Sequence, residues 1–118
     1  MTHKAFAAFH HIDGSKAEEY RVRFNKTAAR LLDGVERVDI GKTENYIVIF
    51  PLDRKSVFGV NVYRDGSNAP CISMTRLVKH HGFLPRDLFD STRYAVKRGK
   101  TGDSKIYICL KEVVTDDD

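Results

Sequence analysis

Apolar and polar positions alternate with a period of two in several short runs of this chain. Tyr20-Arg21-Val22-Arg23-Phe24 places two aromatic rings and a valine on one face and two arginines on the other, which predicts a half-buried strand with a basic outer side. Val60 and Val62 alternate in the same way with Asn61 and Tyr63, and Cys71–Met74 resumes the sheet after a reversal at Asp65-Gly66-Ser67-Asn68. Further strands are predicted at Lys4–Ile12, Arg37–Ile40, Tyr46–Phe50, Arg93–Lys97 and Lys105–Leu110, with turns at Gly41–Asn45 and Gly99–Asp103. Pro51 is expected to stop the sheet, because it has no N–H to give to a ladder. The period lengthens twice. Met74, Leu77, Val78 and His81 fall at i, i+3, i+4 and i+7, which predicts a helix over Thr75–His81, capped by Ser73 and ended by Gly82 in the left-handed conformation. Asn25 is placed to cap a second helix, Lys26–Leu32, with Ala28, Leu31 and Leu32 on its apolar side.

These elements repeat. Asp13-Gly14-Ser15-Lys16-Ala17 and Asp65-Gly66-Ser67-Asn68-Ala69 differ at one position, and Phe24 to Gly34 has the same spacing as Ile72 to Gly82. The expected organisation is a single domain, 1–118, made of two ββαββ units at 4–51 and 58–112, a linker at 52–57 and an acidic tail at 113–118. The second unit carries extra residues around Pro85–Ser91. One such unit would leave sheet edges and an apolar helix face uncovered, and two interlocked units would bury both. The fold class is therefore mainly β with two short helices, a pseudo-twofold barrel.

Composition changes this picture little. A chain of 118 residues can bury one core without staples, and 42% hydrophobic with 31% charged residues is ordinary for a globular domain. No apolar run approaches membrane-spanning length and no leader is apparent, so the expected compartment is the cytoplasm. Cys71 and Cys109 fit it as buried, reduced strand residues. The net charge of +4 is compatible with an anionic partner. Its distribution is more telling, because Asp116–Asp118 sit at the acidic end and Arg76, Lys79, Arg86, Arg93, Lys97, Arg98, Lys100 and Lys105 crowd the second half.

Nothing in the sequence frames a reaction. There is no nucleophile elbow, Walker loop or HExxH motif, and no zinc spacing. Gly99-Lys100-Thr101 reads as a hairpin turn. The pairs His10-His11 and His80-His81 are adjacent, so their rings leave an element on different faces. A non-enzymatic protein without cofactor or metal is expected.

The strand Cys71–Met74 running into helix Thr75–His81, the Gly82-Phe83 break and the Ile106–Leu110 strand together resemble the AbrB/MraZ/MazE-like swapped-hairpin family. In AbrB and MazE relatives two ββαββ units come together as a homodimer, whereas MraZ carries both in one chain, as this sequence does. The resemblance implies a transcription regulator that binds double-stranded DNA. Carried over by position, the nucleic-acid contacts would be Arg64, Arg76 and Lys79 in the second unit and Arg21, Arg23, Lys26 and Arg30 in the first. Such groups suit phosphates, and arginine also reads guanine edges. The chain departs from the MraZ signature at Ala17 and Ala69, where that signature has an arginine. The competing reading of Arg21 and Arg23 is a solvent-facing pair neutralised by Glu18, Glu19 or Glu36.

A second class of function is a protein-binding inhibitor carried by a phage or mobile element, for example against a CRISPR nuclease, or an adaptor. Its contacts would be Leu84, Arg86 and Phe89, in a loop that concentrates apolar side chains. The same loop could instead lie on the barrel as a lid. A MazE-like antitoxin fits less well, since that family uses a long toxin-binding tail and few residues follow Leu110.

Overall fold

Eight strands close into one antiparallel barrel, and two short helices leave it between strands. The computed structural model describes residues 4–14, 17–53, 59–80, 82–99 and 104–115. The strands are β1 (Phe6–Asp13), β2 (Glu18–Phe24), β3 (Arg37–Lys42), β4 (Tyr46–Leu52), β5 (Val60–Arg64), β6 (Pro70–Ser73), β7 (Arg93–Arg98) and β8 (Ile106–Val113). Helix α1 (Lys26–Ala29) follows β2 and tightens into a 3₁₀ turn, Arg30–Leu32, while α2 (Thr75–Lys79) follows β6. Around the barrel the order is β1-β2-β6-β5-β3-β4-β8-β7, with β7 pairing back onto β1. Closure gives every described strand a neighbour on both sides, which removes the sheet edges.

The period-two pattern decides what fills the interior. Tyr20, Val22 and Phe24 of β2 point inward and are buried, while Arg21 and Arg23 point out. Phe9, Val38, Ile47, Ile49, Ile72, Ile106 and Ile108 join them from other strands. In an eight-stranded barrel such side chains fill the lumen, so the interior is a packed core. The two ends are closed differently. Ala28 and Leu32 of the α1 segment cover one end, and Met74 and Val78 with Leu84 and Phe89 of the following loop cover the other. A smaller apolar cluster lies outside the wall, where Val114 packs with Ala95, Cys109 and Phe6. The body of the fold therefore extends past residue 112, and the N–H of Val114 donates to the Arg93 carbonyl. Cys71 and Cys109 are buried free thiols.

Local signals held where the chain itself supplies the partner. The Asn25 side chain accepts from the Ala28 N–H at 3.0 Å, and it also takes the Phe6 N–H and gives its amide to the Lys4 carbonyl. Gly34 and Gly82 both end their helical segments at positive φ. Two local expectations did not hold. Ser73 does not cap α2: it is the last residue of β6, Met74 occupies the capping position, and the Ser73 hydroxyl donates to that of Thr75. The start of α2 is instead tied to β2, where the Tyr20 N–H donates to Thr75 Oγ1 at 3.0 Å. Pro51 does not stop the sheet either. It lies within β4 opposite Val38, beyond the stretch Tyr46–Ile49 that pairs with β8, so its missing N–H interrupts no ladder there. The expectations for Phe58, His81, most of the 52–57 linker, the centre of the 99–103 turn and Asp116–Asp118 fall outside the described residues.

Candidate nucleic-acid interface

A concave surface lies at the α1 end of the barrel. It is an open cleft of about 580 Å³ between the start of α1 and the β5–β6 turn. Four cations line it: Arg23 from β2, Lys26 and Arg30 from the helical segment, and Arg64 from the end of β5. They meet because β2 pairs with β6, which brings the turn of the second unit beside the helix of the first. The sequence puts these residues up to forty-one positions apart, and the seam between the two halves unites them.

Asp65 organises the turn on one side of this cleft. Its carboxylate accepts the N–H groups of Ser67 at 2.9 Å and Ala69 at 3.0 Å, and Arg23 Nε at 2.6 Å. Asn68 takes the left-handed conformation, φ 64°, that the reversal requires. The Arg23 guanidinium, with help from the Ala69 and Ser67 N–H groups, pulls the Asp65 carboxyl down to about 2. Its stabilising effect is therefore complete above its ordinary value near pH 4 and is lost as the pH falls toward 2. Across that interval the wild-type melting temperature should fall more steeply than that of Asp65→Asn. Parallel curves for the two proteins would show that the pair does not stabilise the turn.

Arg21 and Arg23 do not stand on a free solvent face. Both are half-buried on the outer wall, and their hydrogen bonds go to β5 and its turn. Arg21 bonds the Tyr63 hydroxyl, which donates in turn to Glu19 at 2.7 Å. Of the carboxylates expected to neutralise the two arginines, Glu19 thus reaches Arg21 across a phenol, and Arg23 pairs with Asp65 instead. Burial and that bond to Glu19 push the Tyr63 phenol up to about 12. Arg21 Nε is itself buried without a hydrogen-bond partner among the described residues. Removing either arginine disturbs packing as well as charge.

The remaining candidates separate. Because β6 runs antiparallel to β2, α2 leaves the barrel at the end opposite α1. Arg76 lies there, in a smaller groove of about 290 Å³ with Asn61 and Ser73. Lys79 is engaged by Glu18 at 3.1 Å. Glu18 also holds His11 at 2.8 Å and Arg86 at 3.6 Å, and the bonds from His11 and Lys79 hold its carboxyl below the usual range. Strand direction thus places Arg76 and Lys79 at the end of the barrel opposite Lys26 and Arg30.

The loop expectation is corrected too. Leu84 is 1% exposed and Phe89 4% exposed, and the Phe89 ring packs against Phe9 and Tyr20 with centroids 5.3 Å apart in each case. These two side chains plug the barrel and are not available as partner contacts. Arg86 remains exposed, with its guanidinium over the Tyr20 ring and bonded to the Tyr20 hydroxyl at 3.2 Å. The lid reading of this loop is the correct one, because the α2 end would otherwise open onto Phe9 and Tyr20.

Pattern reading assigned no site to His10 and Arg93. They flank the same outer wall on β1 and β7, and only the cross-strand register places them beside Arg21 and Arg23. Among the described residues no helix is long and apolar enough to cross a membrane. No protein-family model, curated protein or solved structure matches the chain.

Proposed function

We propose that this protein is a non-enzymatic, cytoplasmic DNA-binding regulator whose phosphate-binding surface is the cleft at the α1 end. The observation that carries the reading is the convergence of Arg23, Lys26, Arg30 and Arg64 on one open concavity, with Lys26, Arg30 and Arg64 exposed. A duplex backbone offers a row of phosphates to such a set, and the affinity gained by neutralising them falls with salt. Arg21 and Arg23 extend the surface along the wall, and Arg76 extends it toward the other end.

The strand order supports a swapped-hairpin reading of the barrel. The hairpin β1–β2 lies between β7 and β6, and the hairpin β5–β6 lies between β2 and β3. Each N-terminal hairpin thus pairs with strands of the other unit, as interlocked ββαββ repeats would. The inhibitor or adaptor reading loses two of its three contacts to the core, Leu84 and Phe89, and is not pursued.

Binding to a random-sequence duplex across a salt series tests the proposal. The wild-type protein should bind at low salt, and Lys26→Ala/Arg30→Ala/Arg64→Ala should bind more weakly with a flatter salt dependence. Each phosphate that the variant no longer neutralises should remove about 0.9 from the slope of log affinity against log salt. The three side chains are exposed, so the melting temperature should be nearly unchanged. Absence of duplex binding by the wild-type protein at low salt would overturn the reading.

A further inference from the structure

We propose that the cleft at the α1 end is also an effector site, which takes a phosphate monoester on a hydroxyl-bearing organic body, the chemistry of a nucleoside monophosphate, and releases DNA when filled. The release of DNA rests on the reading above; the ligand site stands on the lining of the cleft.

Charge selects the headgroup. Lys26 and Arg30 lie at i and i+4 on the α1 segment, where like charges repel, and no carboxylate pairs with either among the described residues. Arg64, on the opposite wall, gives an N–H to the Asn68 carbonyl at 3.3 Å, which leaves its charge uncancelled. Arg23 differs, because Asp65 already holds it. Three exposed cations thus border one depression and oppose one another while it is empty. A phosphodiester backbone brings one negative charge at each step, whereas a monoester brings close to two at a single point near pH 7. The monoester matches cations gathered around one concavity better than a diester does.

The lining calls for more than a phosphate. Phe24 and Pro70 line the cleft and are buried, and Ala29 and Ala69 are half-buried, so this part of the lining offers no polar side chain. Apolar surface gives a phosphate nothing, but it favours burial of a sugar edge or a base. The volume of about 580 Å³ lies within the range of small-molecule sites, about 300–1,000 Å³.

Asp33 sets the rest of the ligand. It is exposed in the same lining as the cations, where a carboxylate opposes a bare phosphate. Ionised carboxylates accept from hydroxyls, and a ribose diol supplies two of them. Across the cleft, Ser67 and Asn68 are exposed and present a hydroxyl and an amide that suit the polar edge of a base. Their turn is fixed before a ligand arrives, because Asp65 accepts the Ser67 and Ala69 N–H groups. A preformed wall spares the ligand the entropy of ordering it.

NMR titration of the whole protein at matched ionic strength tests the site with adenosine 5′-monophosphate, inorganic phosphate and adenosine as probes. The monophosphate should move the amides of the α1 segment and the β5–β6 turn, and bind at least about tenfold tighter than either other probe. Its affinity should fall below about pH 6, where the phosphate takes up its second proton. Arg30→Ala/Arg64→Ala should abolish binding, whereas Arg86→Ala, which removes a cation at the α2 end, should not. Asp33→Ala divides the ligand into its parts: it should weaken the monophosphate several-fold and strengthen inorganic phosphate. The monophosphate, unlike adenosine, should also weaken binding of a random-sequence duplex in proportion to its occupancy. If it binds no more tightly than inorganic phosphate, the cleft holds an adventitious ion only and the effector site is overturned, while duplex binding in the same protein would leave the DNA reading standing. Tight monophosphate binding with no duplex binding at low salt would sustain the site and overturn the DNA reading. Tight binding that survives Arg30→Ala/Arg64→Ala, or that leaves duplex affinity unchanged, would overturn the shared cleft. No binding of monophosphate or duplex would overturn both.

Discussion

Truncating Phe89 to alanine is expected to cost about 3–5 kcal/mol and Leu84→Ala about 2–5 kcal/mol, enough to remove much of the stability of a domain this size. Both side chains lie in a loop, where substitutions are usually tolerated, and the expectation comes from burial alone. Phe89 packs on Phe9 and Tyr20 inside the mouth of the barrel, and Leu84 joins the same cluster. Removing either opens a cavity that the closed wall of strands cannot collapse to fill. Arg86→Ala, on the exposed side of the same loop, should cost about 1 kcal/mol or less, because its ion pair with Glu18 is solvent-screened. Urea denaturation of the three variants measures the contrast. If Phe89→Ala lowered stability by less than about 1 kcal/mol, the loop would not be part of the core. The two units differ most here: two residues separate Gly34 from β3, whereas ten separate Gly82 from β7. The extra length is used to close the α2 end.

Gly59→Ala should be comparably damaging, at about 2–5 kcal/mol, for a backbone reason. Gly59 has φ +85°, which costs a residue with a Cβ about 1–2 kcal/mol. A Cβ there would also run into the Val38 carbonyl oxygen and stand 2.6 Å from Leu52 Cδ1, adding an overpacking cost of about 1–3 kcal/mol. The position is sensitive because Gly59 enters β5 at the seam with β3, which is held by two residue pairs where β1 and β2 share seven. Arg37 reinforces it by donating to the Gly59 carbonyl at 3.0 Å. Gly82→Ala separates the two contributions. It shares a positive φ of 58° but has open space where the Cβ would go, so it should show only the backbone cost. Equal destabilisation at the two glycines, read from the same urea curves, would mean that the β3–β5 seam is looser than its geometry indicates.

The interface reading depends on residues whose roles became clear at different levels. Arg23, Lys26, Arg30 and Arg64 were legible as candidates because alternation and capping place them outside the core. Their meeting in one cleft was not, since it requires β2 to pair with β6.

The sequence by itself determined the elements whose causes are local. Period-two alternation fixed the inward set of β2, Asn25 fixed the start of α1, Asp65 and Asn68 fixed the β5–β6 turn, and Gly34 and Gly82 fixed the helix ends. Each depends on a residue's own backbone preference or on a hydrogen bond to a near neighbour in the chain. Tertiary structure decided whatever depends on which strand lies next to which. It kept Pro51 within β4 because that part of the strand faces no ladder of β8, and it moved the anchoring of α2 from Ser73 to the Tyr20–Thr75 bond. It also turned an apolar loop into the barrel's plug and sent the cations of the two helices to opposite ends. Such outcomes follow from closure of the barrel, which pairs strands distant in sequence, and no periodicity within a single strand encodes its partner.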